Sequence, residues 1–292
     1  MEIHHCPCCA GTNRKASLNV VDHMVSKEVF TVSLCSSCGC GITSPRPDEI
    51  GPYYESTAYT SHQDENGGLF GALYGWARAV AARQKVRLIK QSVKKSAGAL
   101  LDYGCGVGVF TARAERSGWK VAGVELSDAA RAKANEKLKQ GRVVKTRGDL
   151  DEAERFDAVT LFHVLEHLDD PAETFRWIRS RMNTGGALIV AVPNYESPDA
   201  RHYGAYWAAW DVPIHYWHFT KEAVSELAKS TGWFVAEVRP MRLDAFYVSL
   251  LSESYKTGVK NWFPAIYQGI RSNIFGGRKN ASSLIYVLRK AS

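Results

Sequence analysis

No stretch of this 292-residue sequence approaches the ~18 consecutive apolar residues of a membrane-spanning helix, which disfavours an integral span. The opening Met1-Glu2-Ile3-His4-His5-Cys6 lacks the basic start and apolar run of a secretory signal, so a cytoplasmic location is expected. Cysteine is scarce outside the front of the chain: six of the seven lie within the first 40 residues, and Cys105 is the exception. In a reducing compartment such clustering speaks against a disulfide framework. A glycine is missing too. In Asp102-Tyr103-Gly104-Cys105-Gly106-Val107-Gly108 a dinucleotide fingerprint would need glycine at 109, where Val109 stands.

What is present suits a globular chain of one large domain, or one domain with an appendage: 45% hydrophobic and 23% charged residues. The net charge of +7 permits anionic partners (phosphosugars, nucleotides, nucleic acid, a membrane surface) without choosing among them. Part of the excess, Arg78, Arg83, Lys85, Arg87, Lys90, Lys94 and Lys95, falls on a helix predicted before the glycines, as a solvated face or a binding patch.

Cys6-Pro7-Cys8-Cys9 and Cys35-Ser36-Ser37-Cys38-Gly39 form two Cys-x-x-Cys pairs with 25 residues between them. Each pair suits a knuckle offering two thiolates, and Cys6, Cys9, Cys35 and Cys38 together predict a closed, structural zinc site. Cys8 and Cys40 are spare and could compete as ligands, and a redox role is the main competitor to zinc. Strands expected over Ala16–Val21 and Glu28–Leu34 would make the module a zinc ribbon. Pro45-Arg46-Pro47 and the tyrosines Tyr53, Tyr54 and Tyr59 follow. This order resembles the zinc-binding module preceding some small-molecule and sugar methyltransferases. A ribbon reading nucleic acid is the alternative, disfavoured because the ribbon is not especially basic.

The glycines sit between the apolar Ala99-Leu100-Leu101, read as a buried strand, and a helix predicted from Phe110 to Arg116. At such a turn glycine lets the backbone approach a ligand closely. Asp-x-Gly-x-Gly-x-Gly resembles motif I of the class I S-adenosylmethionine-dependent methyltransferases. The resemblance implies that Asp102 faces the methionine end of the cofactor and that Gly104, Gly106 and Gly108 pack beneath it. It also implies an α/β fold: a Rossmann-like, doubly wound, seven-stranded sheet whose last strand is antiparallel.

The second strand, Lys120–Val124, runs into Glu125, 17 residues beyond Gly108, where a carboxylate can accept from both ribose hydroxyls. A helix is predicted over Asp128–Gln140 with Ser127 as its cap, then a short strand, Arg142–Thr146. By resemblance, Asp149 holds the adenine amino group and the Leu150 amide meets the ring, while Phe162 and His163 border the cofactor. Phe156–Phe162 is the fourth strand, apolar throughout as a parallel strand buried on both faces should be.

His163-Val164-Leu165-Glu166-His167 resembles the His-x-x-Glu-His motif after strand four in this branch. Helical spacing would put His163, Glu166 and His167 on one face. They could act as a general base on a hydroxyl, bind a second metal, or hold the loop by hydrogen bonds. A helix over Phe175–Met182 and a fifth strand over Ala187–Val192 are expected next. From 195 to 220 the chain is dense in aromatics and histidines, which suits a lid over a substrate pocket. There Pro213-Ile214-His215-Tyr216-Trp217-His218-Phe219-Thr220 resembles a Pro-x-His-x-x-His-Phe-Thr signature, with His215 a second candidate for base or substrate contact. Thr220 should cap a helix from Lys221. Trp233–Pro240 is a sixth strand, residues 244–280 an insertion with helical character, and Ser283–Leu288 an edge strand.

The expected organisation is a zinc-ribbon module over 1–55 and a methyltransferase domain over 56–292, using S-adenosyl-L-methionine and structural zinc. The Asn/Asp-Pro-Pro-aromatic motif of adenine methylation and the Pro-Cys nucleophile of cytosine chemistry are both missing after strand four, which disfavours DNA. A small hydroxylated metabolite or sugar, methylated on oxygen rather than carbon, is the expected acceptor, and a homodimer is possible. The alternatives are an RNA-modifying enzyme and a non-catalytic cofactor-binding scaffold.

Overall fold

The computed structural model describes residues 5–54 and 69–291; Tyr59 lies outside them. Strands β1 (Arg14–Val21), β2 (Val29–Cys35) and β3 (Gly41–Ser44) form an antiparallel meander, and a single helical turn α1 (Gly51–Tyr54) follows. The long helix α2 (Leu69–Val93) leads to β4 (Ala99–Tyr103), and α3 (Val109–Glu115) leaves the glycine turn. Then come β5 (Lys120–Val124), α4 (Asp128–Lys137), β6 (Arg142–Val144) and β7 (Phe156–Phe162). Ser127 caps α4, its hydroxyl accepting from the Ala130 amide at 3.3 Å. In β7 every residue but Phe162 is buried, as a strand covered on both faces requires.

Helix α5 (Pro171–Arg181), β8 (Met182–Pro193) and the short α6 (Pro198–Tyr203) are followed by a two-residue strand β9 (Trp217–His218). Helix α7 (Lys221–Ser230) is capped by Thr220, which accepts from the Ala223 amide at 3.0 Å. Strand β10 (Trp233–Pro240), helices α8 (Asp244–Thr257) and α9 (Trp262–Gly276), and β11 (Ser283–Lys290) complete the chain.

The larger sheet has the order β10-β11-β8-β7-β4-β5-β6, a seven-stranded mixed sheet with its last strand antiparallel, as expected. One placement differs. β11 was expected at the edge and lies instead between β10 and β8, leaving β10 outermost. A run as apolar as Ser283–Leu288, almost wholly buried, belongs inside a sheet, whereas β10 alternates in exposure as an edge strand can.

The chain divides into two compact units: 1–64 with 165–174 and 191–286, and 65–164 with 175–190 and 287–292. In the first, β9 adds to β3 (Gly41 opposite His218, Ile42 opposite Trp217), so the expected ribbon is a four-stranded sheet completed from far along the chain. Against it packs the aromatic stretch. Trp207, Trp210, Tyr203 and Val212 share a core with Val20, Phe30 and Val32. Buried Asp199 organises the polar side of that core, accepting from Trp207 Nε1 at 2.8 Å, Ser272 Oγ at 2.5 Å and Ser282 Oγ at 2.7 Å. The segment expected as a lid is therefore largely interior. Arg46 of the Pro-Arg-Pro motif stacks 3.7 Å from the Tyr216 ring centroid and pairs with Asp169 at 3.0 Å.

In the second unit β5 and β7 flank β4 in parallel, with Leu100, Leu101, Ala158 and Val159 fully buried. Asp157 pins the start of β4, accepting from the Ala99 amide at 2.9 Å and from Lys95 at 2.7 Å. These bonds hold its carboxyl below the usual carboxylate range, against the upward push of burial.

Candidate active site

The glycine turn is built for close approach. Gly104, Gly106 and Gly108 all take positive φ (72°, 54° and 73°). Two of them also need hydrogen as a side chain: a Cβ on Gly104 would stand 2.4 Å from a Val164 methyl, and one on Gly108 2.8 Å from the Ala134 Cβ. Among the described residues, a Cβ on Gly106 would meet nothing within 4 Å. The space over Gly106 is thus open, a cradle that a side chain would fill.

The turn is anchored by the amides of Gly104 and Cys105, which donate to the Val124 carbonyl at 2.8 and 3.1 Å. Glu125 follows directly. Its Oε2 accepts from the Gly106 amide and its Oε1 from the Ser127 amide, each at 2.9 Å, so the carboxylate is fixed beside the cradle with lone pairs to spare. Asp102 is buried below the turn, accepting from Thr111 Oγ1 at 2.6 Å and Thr160 Oγ1 at 2.9 Å. Burial pushes its carboxyl up, opposed by the two hydroxyls and by Lys85. Phe162 packs edge-to-face on Phe110 at 5.3 Å with the Lys85 ammonium 4.0 Å from its ring centroid. Lys85, Thr111 and Thr160 carry no signal in a motif; only Lys85 lay in the basic helix singled out by charge.

Asp149 sits in a 3-10 turn whose capping box it completes, its Oδ2 accepting from the Thr146 amide at 2.8 Å and hydroxyl at 2.9 Å. Those two bonds lower its carboxyl. Leu150 beside it is buried.

The expected helix over 163–167 does not form. His163 takes φ 58°, and Leu165–His167 is one 3-10 turn, so His163 does not share a helical face with Glu166 and His167. The first unit instead brings Glu166 and His167 to His215, 49 and 48 residues further on, with one ligand atom of each within 4.8 Å of the others. The two imidazoles meet edge-to-face at 4.6 Å. His167 Nδ1 lies 3.0 Å from the Ile214 carbonyl and His215 Nδ1 3.0 Å from the Ala209 carbonyl. A carbonyl can only accept, so each Nδ1 carries the proton and each Nε2 keeps a basic lone pair. Tyr54 Oη is 3.1 Å from His167 Nδ1, and Asp211 Oδ2 is 3.9 Å from His215 Nε2. Burial, with Asp22 and Glu166 nearby, pushes the Asp211 carboxyl up to about 7. Tyr54 belongs to the tyrosine cluster after Pro45-Arg46-Pro47, and Asp211 stands two residues before the Pro213 segment; no motif assigns either a role. Neighbouring His218 is different: burial pushes it down to about 3, and it bonds Thr43 Oγ1 at 2.9 Å. It is a neutral core histidine.

Cys6, Cys9, Cys35 and Cys38 bring their sulfurs within 4.8 Å of one another, the Cys6–Cys38 and Cys9–Cys35 pairs at 3.5 Å. Tetrahedral zinc with Zn–S of about 2.3 Å needs sulfurs about 3.8 Å apart, so the donor set fits the ion. Cys8 and Cys40 form a second, fully buried group with Cys6.

Comparison with known proteins agrees with this architecture. A family model described as a methyltransferase domain matches residues 75–238, more than half of the chain. The chain belongs to that methyltransferase family. It is 30% identical over 117 residues to a ubiquinone biosynthesis O-methyltransferase of Pseudomonas entomophila (strain L48), covering 38% of this chain and 50% of the relative. The chain thus spans about half the length of the curated relatives it matches. In fold it is similar to magnesium protoporphyrin IX methyltransferase from Synechocystis PCC 6803, solved with bound S-adenosylhomocysteine (TM-score 0.53, 13% identity, 82% of this chain and 97% of that one). It is also similar to the mitomycin 7-O-methyltransferase (TM-score 0.52, 15% identity, 82% and 59%). Among the described residues no helix is long and apolar enough to cross a membrane.

Proposed function

We propose that the protein is an S-adenosylmethionine-dependent methyltransferase that methylates an oxygen of a small hydroxylated metabolite or sugar. When bound, the cofactor supplies a methyl group on an electrophilic sulfonium. Gly104, Gly106 and Gly108 would give it a side-chain-free bed, and the fixed Glu125 carboxylate would accept from the ribose hydroxyls. Asp149 and the Leu150 amide would bracket the adenine, with Phe162 and His163 beside it. Asp102, tied to Thr111 and Thr160, would shape the turn from below.

The observation favouring oxygen as the acceptor atom is the pair of imidazoles whose Nδ1 protons are committed to carbonyls. His167 Nε2 or His215 Nε2 would then be the ring nitrogen that takes a proton from a hydroxyl as it is methylated, with Glu166 steadying the resulting charge. The curated O-methyltransferase relatives support the same reading. The same three ligand atoms could hold a divalent cation, which would acidify the hydroxyl instead. Residues 1–55 we take as a module closed by zinc on Cys6, Cys9, Cys35 and Cys38, and 56–292 as the catalytic domain.

The test begins with calorimetric titration of S-adenosylhomocysteine against NAD, followed by a methylation screen of sugars and phenols. Binding of the former alone, with turnover that His167→Ala abolishes, is the expected result. Tight binding without turnover would leave a cofactor-binding scaffold, and turnover on RNA would replace the small acceptor. Activity lost on chelation and restored by Mg²⁺ would favour the metal version.

A further inference from the structure

Helix α9 is built inside out. Its inward positions are small or polar: Ala265, Gln268, Gly269, Ser272 and Gly276 are buried. Gly269 lies so close to α8 that a Cβ there would stand 2.6 Å from the Phe246 ring. The large apolar residues face solvent instead, with Phe263 87%, Ile274 68% and Phe275 74% exposed. Trp262, Ile266, Tyr267 and Ile270 are exposed on the same helix. A contiguous apolar face of this kind on a helix marks an interaction surface.

Along the chain here the charge is of one sign, with Glu237 of β10 the acid that lies near Arg278. From Ser254 to Ser292 there is no Asp or Glu. Lys256 and Lys260 precede the helix, Arg271 lies on it with its guanidinium 5.7 Å from the Phe275 ring, and Arg278 and Lys279 follow it. The last acid before this stretch, Glu253, is buried and receives a bond from Tyr203 Oη at 3.1 Å. A second copy docked here would bring two basic rims together, which argues against self-association. An apolar face carrying Trp, Tyr and Phe, bordered by Lys and Arg, instead matches a negatively charged lipid interface. At 15 residues the helix is too short to span a bilayer and suited to lying in its surface.

We propose that α9 is a membrane-surface anchor that docks the protein on an anionic phospholipid bilayer. The exposed aromatics and isoleucines enter the headgroup boundary and the basic residues at both ends contact lipid phosphates. Docking would give a small, apolar hydroxylated acceptor dissolved in the bilayer a route to the enzyme, but the anchoring itself does not depend on what is methylated.

The test is co-flotation of the full chain with vesicles of phosphatidylcholine alone and with about one-third phosphatidylglycerol. Binding is expected to the anionic vesicles, weakened by high salt. Lys256→Glu with Lys260→Glu should weaken it about 25-fold or more, at a factor of about five for each basic charge lost. Phe263→Asp with Ile274→Asp should abolish it, while melting temperatures stay at the wild-type value because these side chains face solvent. Failure of the wild-type chain to float, or flotation unaltered in both double variants, would overturn the proposal. So would a wild-type dimer that Phe263→Asp with Ile274→Asp converts to monomer, since the face would then be covered by a second copy.

Discussion

Replacing Gly106 by alanine separates cofactor binding from folding more cleanly than any other change at the glycine turn. Gly106 has φ 54°, so alanine there takes the left-handed conformation at a cost of about 1 kcal/mol. No described residue lies within 4 Å of the added Cβ, so no clash with them adds to that. The melting temperature should fall by about 2–4 °C. Binding is another matter, because the methyl occupies the space the ligand must enter. A ligand backed away by about one ångström would lose a charge-assisted bond to Glu125, worth about 1.5–3 kcal/mol, so Kd for S-adenosylhomocysteine should rise about tenfold to a hundredfold. Gly108→Ala provides the contrast. Its Cβ would stand 2.9 Å from the Ala134 Cα as well as 2.8 Å from its Cβ, and a backbone cannot swing aside. That change should cost about 2–4 kcal/mol of stability. The pair is read by calorimetry and thermal melting. A Gly106→Ala protein that binds S-adenosylhomocysteine within about threefold of wild type would refute the placement of the cofactor over this turn.

Glu125→Ala should weaken S-adenosylhomocysteine binding strongly and melting only slightly, since its own two amide bonds lie at a half-exposed strand end; unchanged calorimetry would remove the ribose assignment. His167→Ala should lower kcat by about 10²–10⁴-fold with cofactor affinity retained, and a fully active variant would take it out of the proton path. Asp211 titrates near 7 in the fold, above its unfolded value, so the folded state holds its proton more tightly. Stability from this group is therefore largest at low pH and declines as pH rises from about 4 to about 7. Asp211→Asn should accordingly stabilise the protein by about 2 kcal/mol at pH 8 and by little at pH 4, which melting curves at the two values would check. Cys35→Ser, or chelation, should lower the stability of the first unit, and through the β3–β9 pairing should also loosen Trp217 and His218, leaving S-adenosylhomocysteine binding intact.

Much of the fold was legible where its signals are local. Strand β7 was read to the residue, and Ser127 and Thr220 as caps, because a buried strand's composition and a hydroxyl's bond to an amide three residues on need no distant partner. The alternation of glycine with Asp102 and Glu125 marked the strand-to-helix turn that forms there, since backbone geometry and carboxylate spacing along a βαβ unit are properties of contiguous chain. The cysteine pairs announced their cluster for the same reason: each knuckle is a single turn.

What the tertiary structure decided is whatever depends on residues far apart in sequence. The spacing of His163, Glu166 and His167 suggested one helical face, but carbonyls at Ile214 and Ala209 orient the two imidazoles that meet, and His215 replaces His163 as the partner. The aromatics after residue 195 carried the composition of a lid and became a core, because β1 and β2 present Val20, Phe30 and Val32 for them to cover. In α9, too, residue type pointed inward and packing chose otherwise: close contact with α8 admits only glycine-sized neighbours at Gly269, so the bulky apolar side chains were turned outward. Hydrophobicity states that a surface must be buried; only the packed chain, with its van der Waals limits, settles which surface meets which.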